Sequence, residues 1–578
     1  MPNSLPLLVS LTALLITEPV FAQWAQWGRG PRHDNNSSAA GRSLDLIENE
    51  IVLDPFADQE EANAGGNLLV HYQAPLVDGS DAFVVIKSGT YTGPTTRETQ
   101  TWSVHNLRRT GGHLVTRWTY TTDWKPVPWG SPGPSWEPVY HTAITGEAVW
   151  APAFGGSIDK ISREDGKLIT RFNPFGEVNP SVFTAGPPVL DDSGNVYYTA
   201  IQLNSQSPWS TDPPNSWLVK VGSNGNVTRA TFQSLTPGAP LASALCATQF
   251  TSALPLPHPP SRDAVAPESR CGAQRPGINV APAVGSDGTI YMISRAHLND
   301  RWGYLVAVNP NLTPKWAASL RNRFSDGCNV SIPPNGSPGG CRIDAITGVD
   351  PSDNQPGSGR VLDNSSSSPT ITPDGKILYG AYTRYNYAQG HLMMFNPNGG
   401  YVGAYGFGWD LTPAIYQHDG TYSIVIKENR YGVGSYCFDN TQCPRDRTSV
   451  TPNDPEAYFI TQLSSSLAVE WKHQNKETKS CARGDNGVVQ CSEDHPNGFE
   501  WCVNAIAVDR RGVVYANSED GHLYAINQGG TLRQRIFLRL ALGAAYTPLS
   551  IGDDGRIYTQ NDGYLFVVTN RARRRAVR

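Results

Sequence analysis

The chain has little charge and much glycine and proline. Only 17% of its 578 residues are Asp, Glu, Lys or Arg, whereas it contains 56 glycines and 45 prolines. Gly and Pro interrupt helices at a cost of about 1 and 3 kcal/mol, and they are the usual residues of tight turns. The composition therefore argues against a helical architecture and favours many short strands.

Several enzyme classes are excluded by the short motifs that the sequence lacks. It contains no GxSxG elbow, no HExxH zinc motif, no Walker loop and no GxGxxG fingerprint. These segments position the nucleophile, the metal or the phosphates in their families, so their absence argues against those chemistries. The twelve histidines are scattered, and His391 and His522 repeat one position after the glycine that opens a strand.

Long hydrophobic runs are missing except at the N-terminus. Leu5 to Ile16 form an apolar run, and Val20-Phe21-Ala22 resembles a cleavage site, although no Lys or Arg precedes them. We expect residues 1–22 to be a secretory signal peptide, with a membrane anchor or a misassigned start as the alternatives. Gln23 stands where a lipid-anchored protein needs Cys. The expected location is secreted or periplasmic, without a membrane span.

A basic face is also missing. The formal charge is −5, and five arginines are concentrated in residues 571–578. The body of the chain is therefore acidic, which argues against nucleic-acid binding. The basic tail is expected to be a solvated terminus, and contact with anionic lipid or cell-wall polymer is the alternative.

Nine cysteines fit an oxidising compartment. Four pairs are close in sequence within expected loops, and these pairs leave Cys502 over: 246 and 271, 328 and 341, 437 and 443, and 481 and 491. Local disulfides are expected, although spacing alone does not decide the pairing. A cysteine metal site is disfavoured because no CxxC occurs, and the expected metal ligands are none.

A unit of about 40 residues recurs eight times. One copy has Val280 to Val284, a turn at Asp287-Gly288, an aromatic-rich strand at 289–292 and a Gly-aliphatic strand at 303–308. Four short strands per repeat predict an all-β fold, an eight-bladed β-propeller of four-stranded antiparallel blades. The units span about 68–120, 138–172, 186–232, 280–320, 368–407, 412–473, 503–538 and 546–568.

The eighth unit stops after three strands, so a strand from the N-terminus is expected to close the ring. Either Gln23 to Trp27 or Ile51 to Phe56 is a candidate for this strand. The expected organisation is a signal peptide at 1–22, an N-terminal segment at 23–67, the propeller at 68–570 and a basic tail at 571–578.

The two faces of the predicted disc differ. The first and third turns of each unit are tight and carry Asp-Gly, Asn-Gly or Gly-Gly, for example Asp374-Gly375 and Asn398-Gly399. The long insertions, near 202–215, 233–279, 321–367, 428–456 and 474–502, all fall on the opposite face. Loops on a rigid scaffold are the usual place for binding and catalysis, so this face is the expected functional one.

The segment from Trp24 to Asn35, with Trp27 and Gly28, resembles the opening segment of proteins with pyrroloquinoline-quinone-like (PQQ-like) repeats. The strand Gly521 to Ile526 and the closing aromatics Trp316 and Trp471 agree with that family. The resemblance covers about residues 23–570 and extends to PQQ-dependent alcohol dehydrogenases and outer-membrane assembly lipoproteins. It implies the same propeller, with the closing aromatics docking adjacent blades.

The resemblance to the dehydrogenases is incomplete. The chain has neither the adjacent cysteine pair that faces the quinone in those enzymes nor a CxxCH haem motif. Asp350, Asp353 and Asn354 are candidate calcium ligands, since calcium prefers carboxylate and carbonyl oxygens, although such residues are usually just part of a solvated loop. A glycosidase-like pair of carboxylates from several blades is a further alternative.

The preferred interpretation is a secreted, non-catalytic propeller, expected to be a monomer. Its loop-rich, disulfide-rich face would hold a protein or polysaccharide partner, and no cofactor is expected. The alternative is a PQQ-dependent oxidoreductase with PQQ and calcium in the central channel. An aromatic with Arg or Lys at the channel favours the enzyme, and a blocked channel favours the binder. Catalytic and cofactor-binding residues stay unassigned.

Overall fold

A computed structural model describes most of residues 23–571. The described residues exclude the stretches 64–72, 94–95, 129–138, 205–206, 251–256, 333, 338–339, 384, 387–389, 408–410, 432–455 and 544–545. The expected signal peptide, residues 572–578 and the cysteines at 437 and 443 lie outside the described residues. Within the described residues, no helix is both long enough and apolar enough to span a bilayer.

The chain folds into eight antiparallel sheets of four strands or slightly more, as the repeats predict. Strand β1 (Leu46–Val52) and helix α1 (Ala57–Asn63) precede the first blade. Blade 1 contains β2 (Leu76–Asp78), β3 (Asp81–Gly89), β4 (Gln100–Thr110) and β5 (His113–Thr121). Blade 2 contains β6 (Ala143–Ile144), β7 (Ala148–Pro152), β8 (Ile158–Ser162) and β9 (Leu168–Phe172), with a helical turn at Phe154–Gly156.

In blades 3 and 4 the innermost strand is split into two short pieces. Blade 3 contains β10 (Val182–Thr184), β11 (Val189–Leu190), β12 (Val196–Gln202), β13 (Asn215–Val221) and β14 (Val227–Thr231), and helix α2 (Phe232–Leu235) follows. The hairpin of β15 (Leu245–Ala247) and β16 (Glu268–Arg270) lies in the insertion after it. Blade 4 contains β17 (Gln274–Pro276), β18 (Ala283–Val284), β19 (Ile290–Ala296), β20 (Gly303–Val308) and β21 (Pro314–Ser319).

The remaining blades follow in chain order. The insertion before blade 5 contains a helical turn at Gly327–Ser331 and the paired strands β22 (Val349–Asp350) and β23 (Gln355–Pro356). Blade 5 contains β24 (Thr370–Ile371), β25 (Ile377–Tyr382), β26 (Gly390–Phe395) and β27 (Tyr401–Phe407). Blade 6 contains β28 (Ala414–His418), β29 (Thr421–Arg430), β30 (Ala457–Ser464) and β31 (Val469–Gln474). The insertion before blade 7 forms a hairpin of β32 (Lys479–Arg483) and β33 (Val489–Glu493). Blade 7 contains β34 (Ala507–Val508), β35 (Val514–Asn517), β36 (His522–Ile526) and β37 (Leu532–Phe537). Blade 8 contains β38 (Ser550–Ile551), β39 (Ile557–Asn561) and β40 (Tyr564–Thr569).

The outer strand of blade 8 is β1, which pairs antiparallel with β40 from Leu46 opposite Thr569 to Val52 opposite Tyr564. It differs from both expected segments. Residues 51–52 end this strand and 53–56 follow it, whereas residues 23–27 lie beside the inner strands of blades 1 to 3. The reason is burial: β1 alternates polar residues on a half-exposed edge, whereas Trp24 and Trp27 are each 1% exposed.

Residues 23–42, here called the belt, contact the inner strand or inner turn of every blade in order. Backbone amides of Ile144, Val284, Ile371 and Ile415 donate to carbonyls of Ala25, Pro31, Arg32 and Asp34. Blades 1, 3, 7 and 8 are reached through Val77, Leu190, Val508 and Gly555. The belt returns to its start, where the Gln23 amide donates to the Ser37 hydroxyl at 2.5 Å. It thus covers the inner edges of the sheets at the face of the tight turns, here called the hairpin face.

Aromatic residues on the outer strands dock each blade onto the next. The indole rings of Trp118, Trp316 and Trp471 lie against glycines in the outer turns of blades 2, 5 and 7, namely Gly166, Gly399 and Gly530. A Cβ at these glycines would lie 2.7 to 3.1 Å from the indole, and each glycine has a positive φ. The turn therefore needs glycine both for its backbone and for the ring above it. This is the structural role that the sequence analysis gives the closing aromatics.

Candidate functional site

Short polar side chains form a buried network near the axis of the propeller, at the entries to blades 5, 6 and 7. They lie directly before the inner strands, where the Asn504 amide of blade 7 donates to the Ser366 hydroxyl at the entry to blade 5, 2.5 Å away. The Thr412 amide donates to the Asn504 carbonyl at 2.8 Å, and the Ser368 amide donates to the Thr412 hydroxyl at 3.0 Å. These residues are between 0 and 1% exposed. This axial network joins the entries of blades 5, 6 and 7 through buried polar contacts.

The belt seals the same channel from the hairpin face. His33 contacts the Pro369 carbonyl through Nδ1 at 2.8 Å, and the Asn35 amide donates to the Pro413 carbonyl at 3.2 Å. Both side chains are fully buried. Burial lowers the pKa of His33 to about 4 and that of His141, which packs edge-on against Trp27, to about 3. These two imidazoles are therefore neutral at neutral pH.

A cluster of ionisable side chains lies on the other side of the axial network. Cys502 comes two residues before Asn504, and its carbonyl accepts a hydrogen bond from the Thr547 amide at 3.3 Å. Glu519 lies in the turn between β35 and β36, and its amide donates to the Glu500 carbonyl at 3.1 Å. Ligand atoms of Glu500, Cys502 and Glu519 all lie within 4.8 Å of one another. We call these three residues, together with Lys427, the mouth cluster.

Strand β29 supplies the cationic side of the cluster. Lys427 is 1% exposed, and its Nζ lies 4.7 Å from the centre of the Tyr546 ring. Asn429, two residues further along the strand, donates to Glu500 Oε2 at 3.2 Å and accepts from the Trp501 amide at 3.1 Å. Because side chains alternate along a strand, Lys427 and Asn429 share one face. That face presents an ammonium and an amide to the carboxylates.

The carboxylates of the cluster repel one another in a dry environment. Burial first, and then the neighbouring Glu500 carboxylate, raise the pKa of Glu519 well above its usual range. Burial and the Glu519 carboxylate likewise raise the pKa of the Cys502 thiol, which donates to Glu519 Oε1 at 2.8 Å. Two like charges in low dielectric cannot both ionise without a compensating cation. Burial and the like charges therefore favour the protonated forms of the Glu519 carboxyl and the Cys502 thiol.

The donors of this cluster fit a hard divalent cation better than a soft one. Two carboxylates supply oxygen ligands, and a bound cation would relieve the repulsion that raises the pKa of Glu519. Burial and the neighbouring carboxylates raise the pKa of the Cys502 thiol, which makes the thiol a weaker ligand than the carboxylates before a cation binds. Tyr546 and Lys427 add an aromatic face and a positive charge, which are the features expected for a quinone with carboxylate groups. Cys502 stands alone, without the adjacent cysteine of the dehydrogenases.

The calcium ligands suggested by sequence are neutralised by arginine instead. Asp350 forms a buried ion pair with Arg301, and Asp353 lies 3.6 Å from the same guanidinium. The amide of Asn354 donates to the Arg262 and Ala264 carbonyls. Burial, and next the Asp350 charge, raise the pKa of Asp353. These residues join two insertions on the loop face, and the mouth cluster lies elsewhere, on blades 6 and 7.

Disulfides pin the insertions of the loop face. The bonds join Cys246 to Cys271, Cys328 to Cys341 and Cys481 to Cys491. Cys502 is free and buried among the described residues. Three of the sequence-adjacent pairs are therefore bonded, and Cys502 is unpaired, in line with the cysteine count. These bonds fit an oxidising compartment.

Sequence reasoning does not find the mouth cluster. Its members come from a strand of blade 6, the insertion before blade 7 and a turn within blade 7. The convergence of carboxylates from several blades is one of the alternatives that the sequence leaves open. The unpaired Cys502 is the single signal that points to the right segment.

No protein-family model matches the chain, and no curated protein does. The structure is similar to the quinohemoprotein alcohol dehydrogenase from Comamonas testosteroni, with a TM-score of 0.51 and 10% identity over 95% of this chain and 81% of that one. A europium-containing methanol dehydrogenase has a TM-score of 0.48 and 11% identity over 93% and 89% of the two chains. BamB from Moraxella catarrhalis has a TM-score of 0.35 and 10% identity over 84% and 97%. The likeness to the Comamonas enzyme supports the expected PQQ-like propeller at the level of the fold.

Proposed function

We propose that the chain is an oxidoreductase of the quinoprotein type that holds PQQ and calcium at the loop-face mouth of its channel. The observation that carries the proposal is the mouth cluster itself, in which a half-buried carboxylate pair lies beside the buried Lys427 and the Tyr546 ring. Strongly shifted pKa values in a buried cluster are typical of functional sites. The likeness in fold to a quinohemoprotein alcohol dehydrogenase favours this function over the non-catalytic scaffold that the sequence favours.

Each residue has a role that its surroundings support. Glu500 and Glu519 would offer carboxylate oxygens to calcium, and Lys427 would pair with a carboxylate of the quinone. Tyr546 would give the cofactor an aromatic surface. PQQ, when bound, supplies two-electron oxidation of an alcohol. A carboxylate of the pair, ionised once the cation is present, would accept the hydroxyl proton of the substrate.

The position of the mouth cluster determines from which face cofactor and substrate would reach the proposed site. Because the axial network and the belt occupy the other side, cofactor and substrate would both enter from the loop face. A blocked channel is the feature expected to favour the binding scaffold. The mouth cluster would lie on the loop side of the axial network, which would form the floor of the proposed site.

The test is an absorbance spectrum and a thermal melt of the purified protein, with and without PQQ and calcium chloride. We expect a quinone band that stays with the protein through gel filtration and a rise in melting temperature. Ligand at 100 times its Kd stabilises by about 2.7 kcal/mol. Glu519→Gln and Lys427→Met should lose both effects, and Glu493→Gln on the exposed strand β33 should keep them. No retained band and an unchanged melt would refute the proposal.

The binding propeller is the second candidate, and a specific observation favours it. The pinned loop face exposes apolar side chains, with Val265 at 88% and Ile343 at 80% exposure. Exposed apolar residues on ordered loops are typical of protein contact surfaces. This candidate would be supported by a melting temperature that PQQ and calcium leave unchanged and that a soluble polysaccharide or a purified partner raises.

A further inference from the structure

A buried lysine lies between two carboxylates where the eighth blade meets the first. Lys87 belongs to β3, and its Nζ lies 2.7 Å from Oδ2 of Asp54 and 2.5 Å from Oε1 of Glu60. Asp54 follows β1 by two residues, and Glu60 belongs to α1. The side chains are 7, 1 and 11% exposed for Lys87, Asp54 and Glu60. The Lys87 amine thus contacts the carboxyl groups of Asp54 and Glu60 in a buried place.

The surroundings are apolar and aromatic. The Phe56 ring centre lies 5.9 Å from the Lys87 ammonium, and Trp102 and Tyr140 line the same space. Keeping charges in such a place is costly, and transfer of the ammonium proton to a carboxylate lowers that cost. A neutral amine is a nucleophile, and a protonated carboxyl is an acceptor for it.

The backbone holds the reacting groups together. The Lys87 amide donates to the Leu53 carbonyl at 2.8 Å, and Asp54 Oδ1 accepts from the Phe56 amide at 2.8 Å. The amine and the carboxyl are therefore fixed beside each other for the lifetime of the fold. Such fixed neighbours react at effective molarities of about 10⁵ to 10⁸ M.

We propose that Lys87 and Asp54 condense to an intramolecular isopeptide bond. The Lys87 Nζ bonds to Asp54 Cγ, the bond from Cγ to the hydroxyl oxygen breaks, and one water leaves. Glu60 takes a proton from the amine and returns it to the departing hydroxyl, so it ends unchanged. No oxidant, metal or co-reactant is needed.

The structure has room for the water that is released. A cavity of about 30 Å³ borders both Lys87 and Asp54, with the amide of Gln73 among its polar lining residues. That volume exceeds the roughly 10 to 15 Å³ that one water needs, and the lining offers hydrogen-bond partners.

The bond would fasten the ring closure covalently. Asp54 directly follows the strand that completes blade 8, whereas Lys87 lies in the second strand of blade 1. The link would tie the end of β1 to the neighbouring blade. Opening of the ring at this seam would then require breaking an amide bond rather than separating two sheets.

The test is mass spectrometry of the reduced, alkylated and denatured full chain. Trypsin normally releases residues 43–87 and 88–97 as two linear peptides, because no Lys or Arg lies between Arg42 and Lys87. With the bond formed, we expect no cleavage after Lys87 and one product of residues 43–97 that weighs 18 Da less than its linear sequence. Lys87→Arg and Asp54→Ala should abolish it, and Glu60→Gln should slow its appearance. The exposed pair Lys167 and Asp165, with an Nζ to Oδ2 distance of 2.6 Å, is the matched control and should give linear peptides.

Recovery of both linear peptides from the wild-type chain, with cleavage after Lys87, would overturn the proposal. This result is decisive even if the variants fail to fold, because it uses the unmodified protein. The outcome is independent of PQQ and calcium, so failure of the proposed enzyme function would leave it untouched.

Discussion

The two ends of the propeller channel are closed by different means. At the hairpin face the belt bonds to the inner part of each blade, mostly through its backbone, and the buried His33 and its neighbour His141 are neutral. At the loop face the channel ends in the mouth cluster, where acids share protons beside a buried lysine. Backbone pairing satisfies every group that it uses, whereas the cluster brings two carboxylates close enough to repel each other. The first arrangement suits stability, and the second suits binding of an ion or cofactor.

The largest expected effect comes from removing a belt aromatic. Trp27 is 1% exposed and packs edge-on against His141, at 5.2 Å between ring centres. Trp27→Ala should lower the free energy of unfolding by about 3 to 5 kcal/mol, because it leaves a cavity at the closed end. Urea unfolding monitored by far-UV circular dichroism measures the change.

Trp209 on the loop face is the matched control. It is partly exposed and stacks on His297, so Trp209→Ala should cost less than half as much. Equal losses for the two substitutions would show that the belt contributes no more to stability than a surface loop.

The second largest expected effect is a loss of stability at acidic pH, caused by His33 of the belt. Burial lowers the pKa of His33 from 6.5 to about 4. Above pH 6.5 the histidine is neutral in both states and its effect is absent. Between pH 6.5 and 4 the unfolded chain binds the proton and the fold does not, so stability falls by up to about 1.4 kcal/mol per pH unit.

The measurement is the free energy of unfolding at half-unit steps from pH 7 to 4. His33→Gln should flatten the loss over that window, and His113→Gln, on the exposed start of β5, should not. Parallel curves for the wild type and His33→Gln would contradict the assignment of this loss to the belt.

The smallest change in stability is expected in the mouth cluster, where a substitution should stabilise the fold instead of destabilising it. The raised pKa of Glu519 makes the fold lose stability as the pH rises above the unfolded value of 4.5. Glu519→Gln removes that ionisation, so without ligand it should raise stability at neutral pH by about 1 kcal/mol. Thermal melts at pH 5 and pH 7.5 test this, since the gain should grow with pH. A loss of stability at both values would show that the carboxylate has a structural role.

Much of the fold is readable from the sequence because the repeat is local. Asp-Gly and Asn-Gly turns mark the hairpins, and the alternation between them gives the strands, so eight blades follow within a few residues. The docking of Trp118, Trp316 and Trp471 onto glycine turns is also visible as a repeated pattern. The closing strand β1 is harder to predict from the sequence, because its polar and apolar residues alternate only weakly, as is usual for a half-exposed edge strand.

The site is not readable in the same way. Asp350 and Asp353 look like cation ligands in sequence, yet Arg301, about fifty residues earlier, neutralises them. Glu500 and Glu519 look like ordinary polar residues, and only the ring geometry brings them beside Lys427. Contacts between distant blades set the charge balance, and no local pattern records them.

The belt also constrains the order in which the protein can fold. It is made first, yet the Gly41 amide pairs with Asp509, 468 residues later, and the Arg42 side chain pairs with Asp554, 512 residues later. Contacts of such separation give a high contact order, which slows folding because the loop entropy is lost before the contact forms. The hairpin face therefore stays open until the last blade exists, and until then the belt's Trp24 and Trp27, each 1% exposed in the folded chain, are accessible to solvent and to other chains.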